Sequence, residues 1–223
     1  MKLILDIGNT RIKAAISDSR NLTPVEDWQE YLPQVTRAVI SNVSGPHPEL
    51  YEALQDISLT ELSWDSPRLD RWLHDIPHGM GSDRVAADIG AICQCPDTPL
   101  LIIDAGTCVT YDLISPKGII IGGSITPGVS LRLKSMHDHT AALPLLDTEG
   151  EAPVHGNDTA TAMRGGAING LRWEMEGYIR HTLGLYPKLH VFMTGGDARH
   201  VAHDLRDIIT IDPLLVMKGL DQI

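Results

Sequence analysis

MKLILDIGNTRIKAAIS, residues 1–17, contains an apolar run that ends at an aspartate followed by a tight turn. Residues 1–6 predict a buried strand, because a strand covered on both faces carries apolar side chains without interruption. Gly-Asn-Thr at positions 8–10 is typical of a turn. Residues 11–17 then alternate between polar and apolar side chains, as a strand with one buried face does. The stretch therefore predicts a β-hairpin with the carboxylate of Asp6 beside its turn.

Nearly the same pattern, LLIIDAGTCVTYDLI, returns at residues 100–114, where Asp104 ends the apolar run and a turn follows. An internal repeat indicates the architecture of a chain, and this repeat has the spacing of whole domains. The sequence therefore predicts two similarly built α/β domains, residues 1–97 and 98–223, with a ligand bound between them.

The other predicted elements follow from hydrophobic periodicity and from the positions of glycine and proline. Strands are predicted at 35–43, 118–125, 191–194 and 208–211. Helices are predicted at 47–57, 82–93, 130–143 and 159–185, after Ala198 and at the end of the chain. The acidic and turn-rich residues 145–156 predict a loop.

Charge and cysteine content limit the possible partners and compartments. The 223 residues carry a formal net charge of −11. Such a surface repels polyanions, so we expect neither a nucleic-acid nor a membrane partner. The odd count of three cysteines suits a reducing compartment. Because the apolar start is too short for a signal peptide and no apolar stretch reaches the length of a membrane span, we expect a cytoplasmic protein.

The two predicted hairpins suit phosphate chemistry. Small turn residues let backbone N–H groups and the hydroxyl of Thr10 or Thr107 approach phosphate oxygens closely. Asp6 and Asp104 would act through a cation, since Mg²⁺ and K⁺ prefer carboxylate and water oxygens. Lys13 could meet a phosphate as a point charge. For each hairpin taken alone, a purely structural turn remains the alternative.

A second candidate site, Gly81-Ser82-Asp83-Arg84, opens a predicted helix. Arg84 could hold a substrate carboxylate through two hydrogen bonds. Asp83 could accept a proton from a hydroxyl group, and a weak base is sufficient when the transition state of phosphoryl transfer is loose. The alternative is a helix N-cap at Ser82 or Asp83 with a surface ion pair.

Two glycine-rich segments complete the candidate ligand-binding residues. The segment TGGDA at 194–198 could seat an adenosine against its backbone, or it is a strand-to-helix turn in which Asp197 caps the helix. The segment GGSITPG at 122–128 could approach a ligand closely, or it is a plain strand end. The sequence contains neither a P-loop nor a Rossmann fingerprint, so a nucleotide would be bound by other means.

The ordered set of motifs resembles that of type III pantothenate kinases, which belong to the actin/hexokinase-like ATPase superfamily. The resemblance is carried by DIGNTRIK at 6–13, GSDR at 81–84, DAGTCVTYD at 104–112, GGSITPG at 122–128, GNDTATAMRGG at 156–166, TGGDA at 194–198 and DPLLVMKGL at 212–220. It implies an α/β fold of two ribonuclease-H-like (actin-like ATPase) domains with the active site in the cleft between them. It also implies a cytoplasmic homodimer.

The resemblance implies that ATP phosphorylates pantothenate to give 4′-phosphopantothenate, the first step of coenzyme A biosynthesis. By position it implies the following roles. ATP would be bound by Asp6, Ile7, Gly8, Asn9, Thr10, Arg11, Ile12, Lys13 and Thr107. Pantothenate would be bound by His74, Gly81, Ser82, Asp83, Arg84 and, across the dimer interface, Thr159. Asp83 would be the catalytic proton acceptor, Asp6 would hold Mg²⁺ through water, and Asp104 would hold a monovalent cation, K⁺ or NH₄⁺.

One position departs from the family pattern, and two other functions stay open. His74 stands where family members often carry a tyrosine, so the aromatic ring remains but the phenol is lost. The same scaffold could serve an ATP-binding regulatory protein without turnover, because a fold does not decide function. It could also serve a kinase for another small hydroxylated acid.

Overall fold

The computed structural model describes residues 1–18, 21–200 and 208–223. These residues form two compact units, each built around a five-stranded sheet. The first unit comprises Met1–Thr98, Ile114–Gly122 and Leu214–Ile223. The second comprises Pro99–Leu113 and Gly123–Pro213.

Ten strands and five α-helices can be followed in the described part of the chain. The strands are β1 (Lys2–Ile7), β2 (Ile12–Ser17), β3 (Leu22–Val25), β4 (Arg37–Asn42), β5 (Ser58–Glu61), β6 (Leu100–Ala105), β7 (Cys108–Ile114), β8 (Ile120–Pro127), β9 (His190–Thr194) and β10 (Ile209–Ile211). The α-helices are α1 (Pro48–Ala53), α2 (Ser82–Gln94), α3 (Val129–Asp138), α4 (Thr159–Leu185) and α5 (Leu215–Leu220). Short 3-10 helices span Trp28–Gln34, Leu69–Arg71 and Gly196–His200.

The two sheets have the same strand order. The first runs β3-β2-β1-β4-β5, and the second, read from the equivalent edge, runs β8-β7-β6-β9-β10. In the first sheet β1 is antiparallel to β2 and parallel to β4, and in the second β6 is parallel to β9. The strand that carries Asp6 and the strand that carries Asp104 therefore hold the same central place, which confirms the predicted repeat.

Each unit has its own core of mostly aliphatic side chains, as the aromatic content of 4% requires. In the first unit, Leu3, Leu5 and Ile7 of β1 pack among the side chains of Ala38 and Ile40 on β4. In the second unit, residues of β6 and β9 pack against the inner face of α4. The central strands are thus fixed in place, and so are the turns at their carboxyl ends.

The end of the chain returns to the first unit. The sequence predicts a second domain that spans residues 98–223. In the structure, however, Ile114–Gly122 and Leu214–Ile223 belong to the first unit. Helix α5 packs directly on α2, because a Cβ atom at Gly90 or at Gly219 would overlap a backbone oxygen of the facing helix. We keep residues 97 and 98 as a proposed domain boundary, with these two later segments added to the first domain.

Most predicted elements are confirmed, and the differences lie at edges and ends. The helix predicted at 130–143 ends at Asp138, and the one predicted at 47–57 is the shorter α1. Helix α4 runs without a break for 27 residues although its sequence contains several glycines. The helix predicted after Ala198 begins within the 3-10 helix at 196–200, and its continuation lies outside the described residues. Over the residues that the structure describes, no helix has both the length and the apolar character that crossing a membrane requires.

Candidate active site

The first candidate region is the turn between β1 and β2, which Asp6 precedes. Asp6 is buried, and its register partners are Lys13 on β2 and Ser41 on β4. The Lys13 ammonium lies 3.4 Å from Oδ2 of Asp6. The turn is closed by a 3.2 Å hydrogen bond that Gly8 N–H donates to the carbonyl oxygen of Arg11. The predicted hairpin, with a carboxylate beside its turn, is confirmed.

The carboxylate of Asp6 is held in a place that disfavours its charge. Burial raises the pKa of Asp6, and the nearby charges of Lys13 and Arg11 offset this only in part. Around this carboxylate, Asn9, Thr10, Arg11 and Ile12 are exposed. A further cation beside Asp6 would therefore be bound favourably.

The second candidate region is the start of α2, where Gly81, Ser82, Asp83 and Arg84 follow one another. The N-cap is Gly81, and no side chain caps the helix, so the alternative of a Ser82 or Asp83 N-cap is wrong. The hydroxyl of Ser82 instead shares a buried 2.9 Å hydrogen bond with the hydroxyl of Ser41. Oδ1 of Asp83 accepts a 2.8 Å hydrogen bond from Arg84 N–H. This bond orients the Asp83 carboxylate in the first turn of the helix.

Asp83 has the electrostatic surroundings of a proton acceptor. Burial raises its pKa, and the negative charge of Asp6 raises it further. The Arg84 N–H hydrogen bond and the Arg84 charge lower the pKa but do not outweigh these effects. A carboxylate whose proton affinity is raised is a better base than an exposed aspartate. Both carboxylates lie in the first unit, close enough for one charge to act on the other.

His74 lies on a loop that its backbone fastens to the segment before β8. His74 N–H donates to the carbonyl oxygen of Gly118 over 2.8 Å, and the His74 carbonyl accepts from Ile120 N–H over 3.0 Å. The side chain itself is exposed. The loop position is therefore fixed while the ring stays accessible to a ligand.

The third candidate region is the turn after β6, where three of the predicted motifs meet in the second unit. Gly128 N–H donates a 2.9 Å hydrogen bond to the carbonyl oxygen of Thr107, and a Cβ at Gly128 would overlap the carbonyl oxygen of Gly106. Gly195, at a φ of +92°, leaves no room for a Cβ beside Ala105. Asp104 lies on the same ladder as Thr194, and its Oδ1 would be 2.6 Å from a Cβ at Gly195. Only glycine fits these two close approaches.

Two further polar contacts define this region. Oδ2 of Asp197 accepts a 3.2 Å hydrogen bond from Val129 N–H at the start of α3. The helix that Asp197 was predicted to cap continues outside the described residues, so that interpretation stays a prediction. The hydroxyl of Thr194 is almost fully buried at 1% exposure, and within the described residues it has no hydrogen-bond partner. A buried hydroxyl without a partner is costly and indicates a place for a water or an ion.

Thr159, predicted to bind pantothenate, is the first residue of α4 and is exposed. Asp158 before it forms a capping box with Thr161, in which Oδ1 of Asp158 accepts from Thr161 N–H over 2.8 Å. The Thr159 hydroxyl is thus presented at a rigid helix start within the second unit.

The structure groups the predicted residues within each unit and adds some that the sequence analysis missed. Asp6, Lys13, Ser82 and Asp83 belong to one group, and Asp104 and Thr107 belong to another. Ser41 was missed, and Thr194 was predicted only as part of the TGGDA backbone, although both are the parallel-ladder partners of a predicted aspartate. Glu174 was missed because it lies in mid-helix outside every motif. Among the described residues, no group of three or more His, Cys, Asp or Glu could hold a metal ion by itself.

Comparison with known proteins gives one family. A family model described as type III pantothenate kinase matches residues 29–181. A type III pantothenate kinase of Phocaeicola vulgatus is 39% identical over 235 residues, which cover 100% of this chain and 97% of that protein. Another, from Porphyromonas gingivalis, is 34% identical over 240 residues, which cover 99% and 96%.

Solved structures give the fold. The chain is similar to a Campylobacter jejuni protein described as a conserved Baf family transcriptional activator, with a TM-score of 0.62, 23% identity and coverage of 99% and 96%. It is also similar to the activator of the 2-hydroxyisocaproyl-CoA dehydratase of Clostridium difficile, solved with bound ADPNP, with a TM-score of 0.54, 12% identity and coverage of 99% and 94%. At these identities the likeness shows the fold alone. The predicted α/β fold with two ribonuclease-H-like domains is confirmed, and the expected position of the site between them stays a prediction.

Proposed function

Because this chain belongs to the type III pantothenate kinase family and so phosphorylates pantothenate with ATP, we propose that Asp83 is the proton acceptor of the reaction. The observation that carries this proposal is the raised pKa of Asp83, caused by burial and by the charge of Asp6, on a carboxylate oriented by Arg84 N–H. The product, 4′-phosphopantothenate, is formed in the first step of coenzyme A biosynthesis.

In the proposed step, the hydroxyl oxygen of pantothenate attacks the γ-phosphorus of ATP. The new O–P bond forms as the bond between that phosphorus and the bridging oxygen breaks, and ADP leaves with the electron pair. The hydroxyl proton passes to the Asp83 carboxylate. Oδ1 already accepts from Arg84 N–H, so Oδ2 is the oxygen that receives the proton. Late proton transfer matches a base that is stronger than an exposed aspartate.

We propose that the residues around Asp83 bind pantothenate. Arg84 is the cation for the substrate carboxylate, because a guanidinium binds a carboxylate through two parallel hydrogen bonds. Gly81 and Ser82 form the backbone beside it, and the buried bond between Ser82 and Ser41 fixes that backbone. His74 and Thr159 complete the set, since both present exposed side chains on rigid backbone.

ATP is proposed to bind residues 6–13 and Thr107, whose turns are closed by backbone hydrogen bonds. An ATP-dependent kinase of this fold uses a divalent metal such as Mg²⁺ with ATP. Asp6 fits this ion, because its buried carboxylate is only partly compensated by Lys13 and Arg11. We propose that Asp6 holds Mg²⁺ through water and that Lys13 meets a phosphate oxygen. The metal supplies neutralisation of the phosphate charge when bound.

A monovalent cation, K⁺ or NH₄⁺, is proposed beside Asp104. The donor set suits such an ion, because Asp104 and the Thr194 hydroxyl, which lacks a partner in the described part of the chain, lie on the same face of neighbouring strands. The Gly195 backbone lies close to Asp104, since a Cβ at Gly195 would be 2.6 Å from Oδ1 of Asp104. Replacing K⁺ by a bulky organic cation should lower the rate strongly, and an unchanged rate would remove this assignment.

We propose a cytoplasmic homodimer without nucleic-acid or membrane partners. Support for self-association comes from apolar side chains that the second unit leaves exposed, such as Trp173 on α4 at 49% and Ile125 on β8 at 60%. Size-exclusion chromatography with light scattering tests this, and a monomer at micromolar concentration would contradict it. The formal charge of −11 supports the absence of polyanionic partners.

The test of the proposed catalytic role is ADP formation with ATP, Mg²⁺, K⁺ and pantothenate. Asp83→Asn should lower kcat on the order of 10²-fold or more, the loss expected for a general base. The matched control is Glu49→Gln, an exposed carboxylate in the first turn of α1, which should leave kcat unchanged. An unaffected Asp83→Asn enzyme would overturn the role of Asp83. ADP release that ignores pantothenate would favour a regulatory protein, and preference for another hydroxy acid would favour the third function.

A further inference from the structure

Glu174, midway along α4, collects hydrogen bonds from three other elements of the second unit. Its Oε1 accepts from the Tyr111 hydroxyl on β7 over 2.8 Å and from the Thr126 hydroxyl on β8 over 2.6 Å. Its Oε2 accepts from Nη2 of Arg132 on α3 over 2.5 Å. Hydrogen bonds to a carboxylate are stronger than those between neutral groups. One side chain thus ties β7, β8 and α3 to α4.

Two of these partners hold the same short segment, residues 126–128, from two sides. Thr126 belongs to the segment and is held through its side chain. Arg132 bonds Glu174 with Nη2 and donates from Nε to the carbonyl oxygen of Pro127 over 2.8 Å. Because the guanidinium is planar and rigid, fixing one of its edges fixes the other. Glu174 therefore positions both a side chain and a backbone carbonyl of the segment.

The segment in turn supports the turn after β6. Gly128 N–H donates to the Thr107 carbonyl over 2.9 Å, and the two backbones are too close for a Cβ at Gly128. A displacement of residues 126–128 must therefore displace the backbone at 106 and 107. Thr107 is the residue of the second unit to which we assign contact with ATP phosphates.

We propose that Glu174 is a positioning residue that holds residues 126–128 against the Thr107 turn and so sets the geometry with which that turn receives the phosphates of ATP. The inference rests on the role assigned to Thr107 under the proposed function. It adds a residue that lies outside every motif and that is argued to act through residues 126–128.

The charge of the Glu174 carboxylate and the direction of the Tyr111 hydroxyl are both constrained by their surroundings. Burial raises the pKa of Glu174, but the hydrogen bonds from Thr126, Arg132 and Tyr111 outweigh it and hold the pKa below its ordinary value. The Tyr111 ring stacks on Tyr178 with 4.1 Å between ring centroids, which restricts the direction of its hydroxyl. Glu174 is therefore a charged acceptor at neutral pH, with partners that cannot turn away easily.

Glu174→Gln tests the proposal with the smallest change of shape. The amide oxygen can still accept from Thr126 and Tyr111, but the amide N–H₂ would face the Arg132 guanidinium, donor against donor. Arg132 then loses its anchor, and its bond to Pro127 is no longer fixed. We expect KM for ATP to rise about tenfold, the size of effect that the loss of one charge-assisted hydrogen bond produces. KM for pantothenate should stay within about twofold, since the perturbation acts on ATP contacts.

The matched control is Asp138→Asn on α3, which removes a carboxylate from the exposed pair with Lys134 and touches none of these residues. Both Michaelis constants should be unchanged in this control. A purely structural Glu174 would lower Tm and the active fraction while leaving KM for ATP as it was, and that result would overturn the proposal.

A second variant and a second measurement distinguish a failure of the Glu174 inference from a failure of the role proposed for Thr107. Arg132→Lys keeps the positive charge but cannot bridge Glu174 and the Pro127 carbonyl at once, so KM for ATP should rise less than in Glu174→Gln. If Glu174→Gln fails to fold, Arg132→Lys decides, and an unchanged KM for ATP there overturns the inference.

Hydrogen exchange of the ligand-free protein reports the positioning without ATP. Glu174→Gln should speed exchange in peptides covering 104–112 and 124–132, and leave residues 1–17 unchanged. Unaltered exchange at 104–112 would overturn the inference. Thr107→Ala tests the role of Thr107 alone. If KM for ATP is unchanged in Thr107→Ala, the role of Thr107 is wrong. If KM for ATP is raised in Thr107→Ala but unchanged in Glu174→Gln, only the inference about Glu174 is wrong.

Discussion

The turns that follow Asp6 and Asp104 hold the same place in two sheets of equal strand order, yet they are maintained differently. In the first unit, side chains do the work: Lys13 pairs with Asp6, and the Ser41 hydroxyl, beside Asp6 on the neighbouring strand, bonds to Ser82. The first contact joins β2 to β1, and the second joins β4 to the start of α2. The start of α2, which carries the proposed base Asp83, is thus held by a side-chain hydrogen bond.

In the second unit, close backbone contacts hold the turn after β6 in place. Gly128 and Gly195 bring two other segments so close to residues 105–107 that no Cβ fits. The hydroxyl of Thr194, the ladder partner of Asp104, has no partner among the described residues. The first turn is therefore held by charged and polar side chains, and the second by close backbone contacts.

The largest effect should come from placing a side chain where two backbones touch. Gly128→Ala would put a methyl group on the Gly106 carbonyl oxygen, so the segment and the Thr107 turn must separate. Overpacking of this kind costs about 1–3 kcal/mol of the free energy of unfolding. We expect a lower Tm and a rise of more than about tenfold in KM for ATP, because phosphate contacts require that turn. Calorimetry and steady-state kinetics measure the two quantities.

The control is Gly184→Ala near the end of α4, where nothing lies within 4 Å of the added carbon. Alanine is a better helix former, so Tm should rise slightly rather than fall. A Gly128→Ala enzyme with normal KM for ATP would show that the second turn does not depend on backbone proximity, and the contrast between the units would disappear.

A smaller effect should distinguish the two hydroxyls that accompany the aspartates. Ser41→Ala removes one partner of a buried hydrogen bond and leaves Ser82 unsatisfied, which costs about 1–3 kcal/mol. Thr194→Val removes a hydroxyl that has no described partner and keeps the shape, so without K⁺ its Tm should stay or rise. If the cation uses this hydroxyl, half-activation by K⁺ should need several-fold more salt.

The contrast requires that Ser41→Ala lowers Tm and that Thr194→Val does not. Both Tm values are measured in buffers with and without K⁺. Thr194→Val as destabilised as Ser41→Ala in the absence of K⁺ would mean that the second hydroxyl is structurally engaged like the first. An unchanged K⁺ requirement would remove Thr194 from the cation site while leaving Asp104 to be tested separately.

The repeated architecture could be predicted because each hairpin carries its own local signal. The uninterrupted apolar runs of β1 and β6 are typical of buried central strands, and turn residues follow each of them. The edge strands β3 and β5 gave no such signal, because LTPV contains a proline and SLTE is polar. Edge strands need little burial, so their sequences are weakly constrained.

The residues of the candidate site also differ in how far the sequence alone could predict them. Asp6, Asp83 and Asp104 stand in short motifs whose residue types indicate cation binding or proton transfer. That Ser41 lies beside Asp6 and Thr194 beside Asp104 could be found only once strand register was known, because register decides which side chains face each other. Glu174 could not be found from sequence at all, since its three partners lie 42 to 63 residues away along the chain.

The smallest predicted effect concerns pH and contrasts one carboxylate from each unit. The pKa of Asp83 is raised in the folded state by burial and by the charge of Asp6. Stability linked to Asp83 is therefore present below its unfolded pKa, about 3.9, and is lost as pH rises through the folded pKa. Asp83→Asn should raise Tm at pH 7 by about 2–4 °C, the change that 1 kcal/mol gives in a chain of this size. The gain should vanish below the unfolded pKa.

Glu174 should behave in the opposite way, since burial is outweighed by three hydrogen bonds that lower its pKa. Its stabilisation is present above its unfolded pKa, about 4.3, and is lost as pH falls through the folded pKa. Glu174→Gln should thus lower Tm at pH 7 and approach the parent protein in acid. Thermal unfolding from pH 3 to 8 compares the two variants directly. Tm shifts of the same sign at pH 7 would mean that burial dominates the pKa of both partly buried carboxylates, and the contrast between the units would be lost.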